Sequence, residues 1–349
     1  MAATPRNETR HGIAVAHPRY PVLPKVGQSI HPFLLALGAW RTVRRLQREG
    51  FDFDLIDAHF YYPDGVAAAL LARCLGKPLV ITARGSDLNS FGRDAVPRTW
   101  MRWAGGVADA SIGVCQALVD VLHGWGLPPG RLNVVRNGVD TQRFRPQPQA
   151  AARAALGIAG APLLLSVGNL VPVKGHDIAL KALAQLMPTH PGVHWVFVGD
   201  GPLRGDLQAQ AEALGIAKHV TFAGVIPNQA LPAWYSAADA LVLASRSEGW
   251  ANVLLEAMAC GTPVVATAVG GTAEVLAQPG IGRVVPPLAP QALAQGIASL
   301  LQSLPDRNAV RRYAEGFGWD ETTAAQLRLF RQAVANHGAA QRGQTLTRA

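Results

Sequence analysis

An α/β protein of two domains, each a parallel sheet covered by helices on both faces, is what this sequence predicts. Three observations carry the expectation. The chain has 349 residues, 49% of them hydrophobic, enough for two cores. Short Val/Ile/Leu runs alternate with helical stretches, the pattern of strands buried on both sides of a parallel sheet. Between residues 145 and 149 the run RPQPQ interrupts any regular element and marks a joint.

The elements follow in order. In the first domain, strands are expected at 12–16, 55–58, 79–82, 111–114 and 132–135. Helices are expected near 32–48, 65–75 and 115–123, with Asp64 as an N-cap. The second half alternates more cleanly, with strands at 162–168, 195–199, 220–222, 240–244, 263–267 and 283–285. Helices at 177–186, 203–214, 252–259 and 290–301 fill the gaps, so each half reads as Rossmann-like. The domains are expected at 1–146 and 147–316. A last amphipathic helix is expected over 317–336, and 337–349 is expected as a loose polar tail.

Composition narrows the function classes. No stretch reaches the roughly 18 uncharged apolar residues of a membrane span, and the polar start lacks a signal core. Cys74, Cys115 and Cys260 are scattered, which argues for a reducing compartment and against a disulfide framework or a Cys-rich metal site. The net charge of +9 is uneven. Residues 1–150 hold 18 Lys/Arg against 11 Asp/Glu, and residues 151–349 hold 14 against 12. A basic first half suits an anionic membrane surface or an anionic acceptor, or is simply a solvated surface. No nucleic-acid motif appears, and nucleic acid is not expected as a partner. Asp52-Phe53-Asp54 has the look of a metal motif but precedes a strand. His190 and His194 are separated by Pro191-Gly192, which forbids the helix that would align them. No Walker A or Gly-x-Ser-x-Gly sequence appears.

The most informative stretch is SRSEGWANVLLEAMACGTPVV, residues 245–265. It places Glu248 in a loop and Glu256 a turn or so into an alanine-rich helix, with Gly249–Asn252 as a short polar lead-in. Free amides and partial positive charge at a helix start suit a phosphate. A carboxylate just inside can accept hydrogen bonds from vicinal ribose hydroxyls. The pair suggests a nucleotide-sugar site. The plainer alternative is that both acids only complement the helix N-terminus.

This spacing, Glu, seven residues, Glu, then a Gly-x-Pro-Val-Val-like run, resembles the donor signature of the family 4 retaining glycosyltransferases. Most of the chain follows the family's order of motifs. The resemblance implies the GT-B architecture, two Rossmann-like domains facing an interdomain cleft, with the 317–336 helix crossing back to the first domain. It implies same-face transfer of a sugar from a nucleoside-diphosphate sugar to a hydroxyl of a glycan or lipid-linked acceptor, in cell-surface polysaccharide or glycolipid synthesis. No cofactor or metal is implied, the donor being a substrate. Localisation is then cytoplasmic, peripheral at the inner face of the plasma membrane. Family members begin with a strand, loop and helix ahead of anything matching residues 17–25, so the N-terminal domain is expected to be incomplete. A nucleotide-sugar epimerase of the same fold and an inactive nucleotide-sugar-binding relative are the rival readings.

Residue by residue, the resemblance gives Glu248 and Lys174 catalytic roles. Glu256 binds ribose. Gly168 and Asn169 border the diphosphate, with Asn169 standing where the family's Arg is common. Trp250, Ala251, Asn252 and Val253 supply amides, and Gly201 and Val225 lie near the base. On the acceptor side stand Arg84, where many relatives have His, with Asp87, His59 and Asn137. Arg84 either binds an anionic group or pairs with Asp87 as structure, and His59 either faces the cleft or is a structural histidine. Gly270-Gly271 and Glu274 border the donor, Glu274 having an alternative role as a helix N-terminal charge.

Overall fold

The computed structural model describes residues 4–22, 29–158 and 162–348. Lys25, in the segment compared with the family's opening unit, lies outside them. The chain forms two compact units, residues 1–135 with 324–349, and residues 136–323.

The first unit opens with β1 (Asn7–Arg10) and β2 (Ile13–Ala16), an antiparallel hairpin forming a sheet of its own. The strand expected at 12–16 is therefore present but is not part of the parallel sheet. His11 and Gly12 both have positive φ, 50° and 82°, the two-residue turn whose twist matches a hairpin. Ile13 is 69% exposed, so β2 is not a core strand. The polar sequence of β1, NETR, carries no strand signal.

Then follow β3 (Ile56–His59), β4 (Leu79–Ala83), β5 (Ala110–Gly113) and β6 (Leu132–Val134), a four-stranded parallel sheet in that order. All five residues of β4 are buried, as its unbroken apolar run requires. Val80, Ala110, Ile112 and Val135 form a core that Ala325, Leu329, Phe330 and Ala333 of the last helix cover. That helix runs Trp319–Arg348. It belongs to the first unit from residue 324, and it continues through the 337–348 region expected as a loose tail.

The second unit carries β7 (Leu163–Val167), β8 (His194–Val198), β9 (Val220–Gly224), β10 (Ala240–Leu243), β11 (Val264–Thr267) and β12 (Gly282–Val285). They form one parallel sheet in the order β12-β11-β10-β7-β8-β9. This is the doubly wound arrangement, and its strand order reverses between β7 and β10. Its core includes the stacked Trp195, Phe197 and Phe222, with ring centroids 5.5 and 5.4 Å apart. The Trp195 indole N–H donates to Ser166 Oγ at 3.1 Å, and Ser166 donates to the Val242 carbonyl at 2.7 Å, so neither buried polar group is left open.

The units divide between Val135 and Arg136, ahead of the RPQPQ joint. The reason is packing within the second unit. Val139 bridges to Gly318, Phe144 packs against the Tyr235 ring at 6.0 Å, and Asn137 hydrogen-bonds Asn252.

Candidate functional site

In doubly wound sheets, ligands bind beyond the carboxyl ends of the strands, at the point where strand order reverses. In the second unit that point lies between β7 and β10. The loop after β7 brings Lys174, and the loop after β10 brings Glu248. Lys174 Nζ donates to Glu248 Oε1 at 2.7 Å, and Ser245 Oγ donates to the same oxygen at 2.6 Å. The carboxylate is 10% exposed and the ammonium 26%, a nearly buried ion pair that a neutralised partner would leave costly.

Two glycines make this approach sterically feasible. A Cβ on Gly175, at φ 64°, would stand 2.0 Å from the Ala244 carbonyl oxygen. One on Gly270, at φ 51°, would stand 2.0 Å from the Glu248 carbonyl oxygen. Backbone therefore lies directly on backbone on both sides of the Glu248 loop, and only glycine fits either place.

Behind Glu248 comes the Asn252–Ala259 helix, as expected. No carbonyl precedes the amides of Asn252 and Val253 within the helix, and they open its N-terminus. Ala251 is buried, and its carbonyl accepts from Leu254 at 3.0 Å. Asn252 Oδ1 accepts from Asn137 Nδ2 at 3.2 Å. Asn137, expected on the acceptor side of the first domain, thus belongs to the second unit and steadies the start of this helix. Trp250 is buried with its indole N–H lacking a protein partner. Arg136 stacks over its ring at 5.9 Å, and Arg136 is itself held by Glu274 Oε2 at 2.7 Å. Glu274 is thus spent on an ion pair.

Glu256 lies in the second helical turn, so capping is not its role. Tyr235 Oη donates to its carboxylate at 2.7 Å. Burial pushes the Glu256 carboxyl above the usual carboxylate range, against the opposing pull of the Tyr235 hydrogen bond and of the Arg143 charge. Tyr235 is fully buried, and burial beside Glu256 drives its phenol well up, so it stays a donor.

The Lys174 stem passes Gly168, and Asn169 presents an exposed side chain. The Asn169 carbonyl accepts from His176 Nε2 at 3.1 Å. His176 is buried, and burial lowers its imidazole to about 4, so it is neutral. Gly201 lies against the Leu170 backbone, and Val225 is 75% exposed just after β9. Sequence reasoning missed Ser245, Tyr235, His176 and Arg136. Ser245 and His176 adjoin motif residues and were open to notice. Tyr235 and Arg136 meet the site only through tertiary packing.

In the first unit, β3 and β4 bring His59 and Arg84 together. Arg84 Nε donates to His59 Nδ1 at 3.1 Å, with Nη2 2.6 Å from the same nitrogen. A guanidinium cannot accept, so Nδ1 bears the lone pair and Nε2 carries the proton toward Asp57, 3.1 Å away. Asp87 is 0% exposed. Its carboxylate accepts from the backbone amides of Tyr61 at 2.7 Å, Gly85 at 2.8 Å and Arg84 at 3.2 Å. It builds the turn that carries Arg84, which favours the structural one of the two roles the sequence leaves open for the pair.

The two metal look-alikes are also accounted for. Asp52 meets Lys77 at 3.2 Å. His190 and His194 bond separate threonines, Thr189 and Thr221. Among the described residues no group of three or more His, Cys, Asp or Glu gathers to hold a metal ion.

Comparison with known proteins fixes the family. The model described as Glycosyltransferase Family 4 matches residues 2–143, and that for Glycosyl transferases group 1 matches residues 148–317. A D-inositol 3-phosphate glycosyltransferase of Segniliparus rotundus is 35% identical over 304 residues, covering 82% of this chain and 68% of that one. The chain belongs to glycosyltransferase family 4. This family 4 protein is an enzyme of the hexosyltransferase type. Its fold matches solved GT-B glycosyltransferases. Sucrose-phosphate synthase from Thermosynechococcus elongatus superposes with a TM-score of 0.82 at 23% identity, over 96% of this chain and 87% of that one. Anabaena HepE, solved with UDP and glucose, gives 0.69 at 25% identity over 88% and 81%.

Proposed function

We propose that this glycosyltransferase takes its sugar from a nucleoside-diphosphate sugar held in the second unit and passes it, with retention, to a hydroxyl of a glycan or lipid-linked acceptor. The observation that carries the reading is the Lys174–Glu248 pair at the strand-order reversal, followed directly by a helix N-terminus and Glu256. Lys174, with the amides of Ala251, Asn252 and Val253, offsets the charge that builds on the departing diphosphate. Such preorganised donors contribute on the order of 3 kcal/mol each to lowering the barrier. Asn169 is neutral, so Lys174 bears more of that task than it would beside an arginine. Gly168 gives the diphosphate room beside the Lys174 stem. Glu248 holds Lys174 in place and faces the positive charge at the anomeric carbon. Glu256 takes the ribose hydroxyls, and Tyr235 fixes its rotamer. Trp250 directs its unpaired N–H to the donor, and the Gly201 and Val225 turns flank the base.

In the transfer, the acceptor oxygen bonds to the anomeric carbon as the bond to the diphosphate oxygen breaks. The acceptor proton passes to the departing phosphate. No metal is required for this charge balance. On the other unit, Arg84, oriented through His59, recognises an anionic acceptor group. The relative named for D-inositol 3-phosphate supports an acceptor of that kind. The described residues contain no helix long and apolar enough to cross a membrane. The basic first unit suits peripheral attachment to an anionic membrane at its cytoplasmic face, in polysaccharide or glycolipid synthesis.

The test is a thermal-shift panel of UDP-, GDP- and ADP-sugars on the wild type and Glu256→Ala, beginning with UDP-sugars because HepE holds UDP. The wild type is expected to be stabilised by one base series and Glu256→Ala much less. Equal shifts in both proteins reject the ribose role.

A further inference from the structure

A cavity of about 230 Å³ lies where the N-terminal segment crosses the His31–Arg48 helix, away from every residue used above. Its walls carry Arg6 and Arg19 from the segment and Arg41 and Arg45 from the helix, with Asn7, His17 and Thr42 as further polar groups and no Asp or Glu. Gly38, Arg41, Thr42 and Arg45 recur at helical spacing and so share one face. The place is built. A Cβ on Gly38 would meet the Arg19 carbonyl oxygen at 2.6 Å and Tyr20 Cβ at 2.9 Å, so the segment rests directly on the helix there. His17 pairs with Glu8 at 2.7 Å, and Tyr20 Oη bonds His31 Nε2 at 3.0 Å, pinning the chain on both sides of Arg19.

The positive charge in this cavity is poorly compensated. Glu8 is taken by His17 and by Arg10 at 2.8 Å. Arg45 donates to Asn7 Oδ1 at 3.1 Å and stands 3.7 Å from Glu49. Arg19 donates to the Thr4 carbonyl, a neutral acceptor. Among the described residues the Arg6 and Arg41 side chains make no hydrogen bond or ion pair. Four guanidiniums around one open space, with no carboxylate in its wall, repel one another until an anion enters. Planar guanidinium forks suit tetrahedral oxyanions best.

We propose that this cavity binds a phosphoryl group, held by Arg19, Arg41 and Arg45. Its volume admits the phosphate together with part of an ester substituent. Leu37, 57% exposed, and Phe33, 36% exposed, lie one and two turns before Arg41 on the same helix. An apolar surface beside the guanidiniums favours a phosphodiester headgroup still seated in a lipid leaflet, with a soluble phosphate ester as the other source of the same chemistry. The site is independent of the donor reading, and it gives the membrane attachment proposed above a defined contact.

The experiment uses the full chain as wild type, Arg19→Gln, Arg41→Gln and the charge-matched Arg98→Gln, whose arginine is exposed on the separate Ala95–Val107 helix. Inorganic phosphate is titrated against chloride by calorimetry at low salt. Retention on phosphatidylcholine vesicles with and without phosphatidylglycerol is measured in parallel, with melting temperature as the check on folding. Phosphate should bind the wild type and Arg98→Gln alike and bind the two cavity variants about tenfold more weakly. Vesicle retention lost in the same two variants assigns the lipid source. Phosphate binding lost while no protein is retained on vesicles assigns a soluble ester. Phosphate bound no better than chloride, or all three variants weakened equally, overturns the site. Vesicle retention that is the same in all four proteins would then leave the membrane reading standing without it.

Discussion

The two units solve the same folding problem with different margins. In the second, six parallel strands are flanked by loops locked backbone to backbone, and Glu248, Glu256 and Glu274 each have a specific partner, Lys174, Tyr235 and Arg136. In the first, four strands carry a site whose reach to solvent is a His59–Arg84–Asp57 chain, while the acid that looked functional, Asp87, is consumed inside the fold. The difference teaches where rigidity is needed. A departing diphosphate is stabilised only by groups already in place. In the proposed function, the acceptor is met by groups on the lighter scaffold of the first unit.

The contrast breaks first at Lys174. Lys174→Ala should lower kcat by about 10²–10³, the usual cost of losing one preorganised donor. It should also cost roughly 2 kcal/mol of stability by leaving Glu248 nearly buried without its cation. Turnover of the donor that stabilises the wild type, with urea unfolding, checks both. Turnover within a factor of two of wild type refutes the role. Next comes Gly270→Ala, which places a Cβ against the Glu248 carbonyl at a positive φ. About 3 kcal/mol of destabilisation is expected. Gly50→Ala in the first unit, also at positive φ but with nothing within 4 Å, should cost about 1 kcal/mol. Similar melting temperatures for the two variants would show that the loop packing is not the constraint it looks to be.

What was legible in the sequence follows the same divide. Strands β7, β8, β10 and β11 were readable because burial on both faces leaves unbroken apolar runs, and the half-buried edge strands β9 and β12 were readable from the alternation with helices around them. The Glu248–Glu256 stretch was readable because its helix start, carboxylates and following turn are consecutive in the chain. The hairpin of β1 was not readable, since Asn7–Arg10 is polar and its pairing rests on the turn at His11-Gly12. Asp87 stayed open between two roles because a buried carboxylate that collects backbone amides has the same local sequence as one facing a ligand. Asn137 shows the remaining limit. Which unit such a segment packs on is decided by partners such as Asn252, far away along the chain.

A comparable effect tests the rigid side by pH. His176 is neutral when folded, its imidazole lowered by burial to about 4 from 6.5 in the unfolded chain. Between those values the unfolded chain binds the extra proton. The stability His176 contributes is therefore complete above pH 6.5 and is lost as pH falls toward 4, about 3 kcal/mol in all. Urea unfolding at pH 7 and pH 4.5 should show this loss in the wild type and a flatter profile in His176→Asn. Parallel profiles would mean that His176 takes its proton without unfolding the loop at Asn169.

The last effect belongs to the first unit and separates charge from geometry. Arg84 spends Nε and Nη2 on His59 Nδ1, so its orientation is set by a two-pronged contact to one lone pair. Lysine keeps the charge but has no planar fork. Arg84→Lys should therefore raise the acceptor KM about tenfold, near 1.4 kcal/mol, with kcat and the donor-induced thermal shift unchanged. His59→Ala should reproduce the effect with Arg84 still present, because the guanidinium loses the nitrogen that aims it. If Arg84→Lys retains the wild-type KM while His59→Ala raises it, charge alone suffices and the histidine itself meets the acceptor. If both raise KM together, the pair acts as one directed cation, and the lighter scaffold of the first unit still fixes the direction of its single key charge.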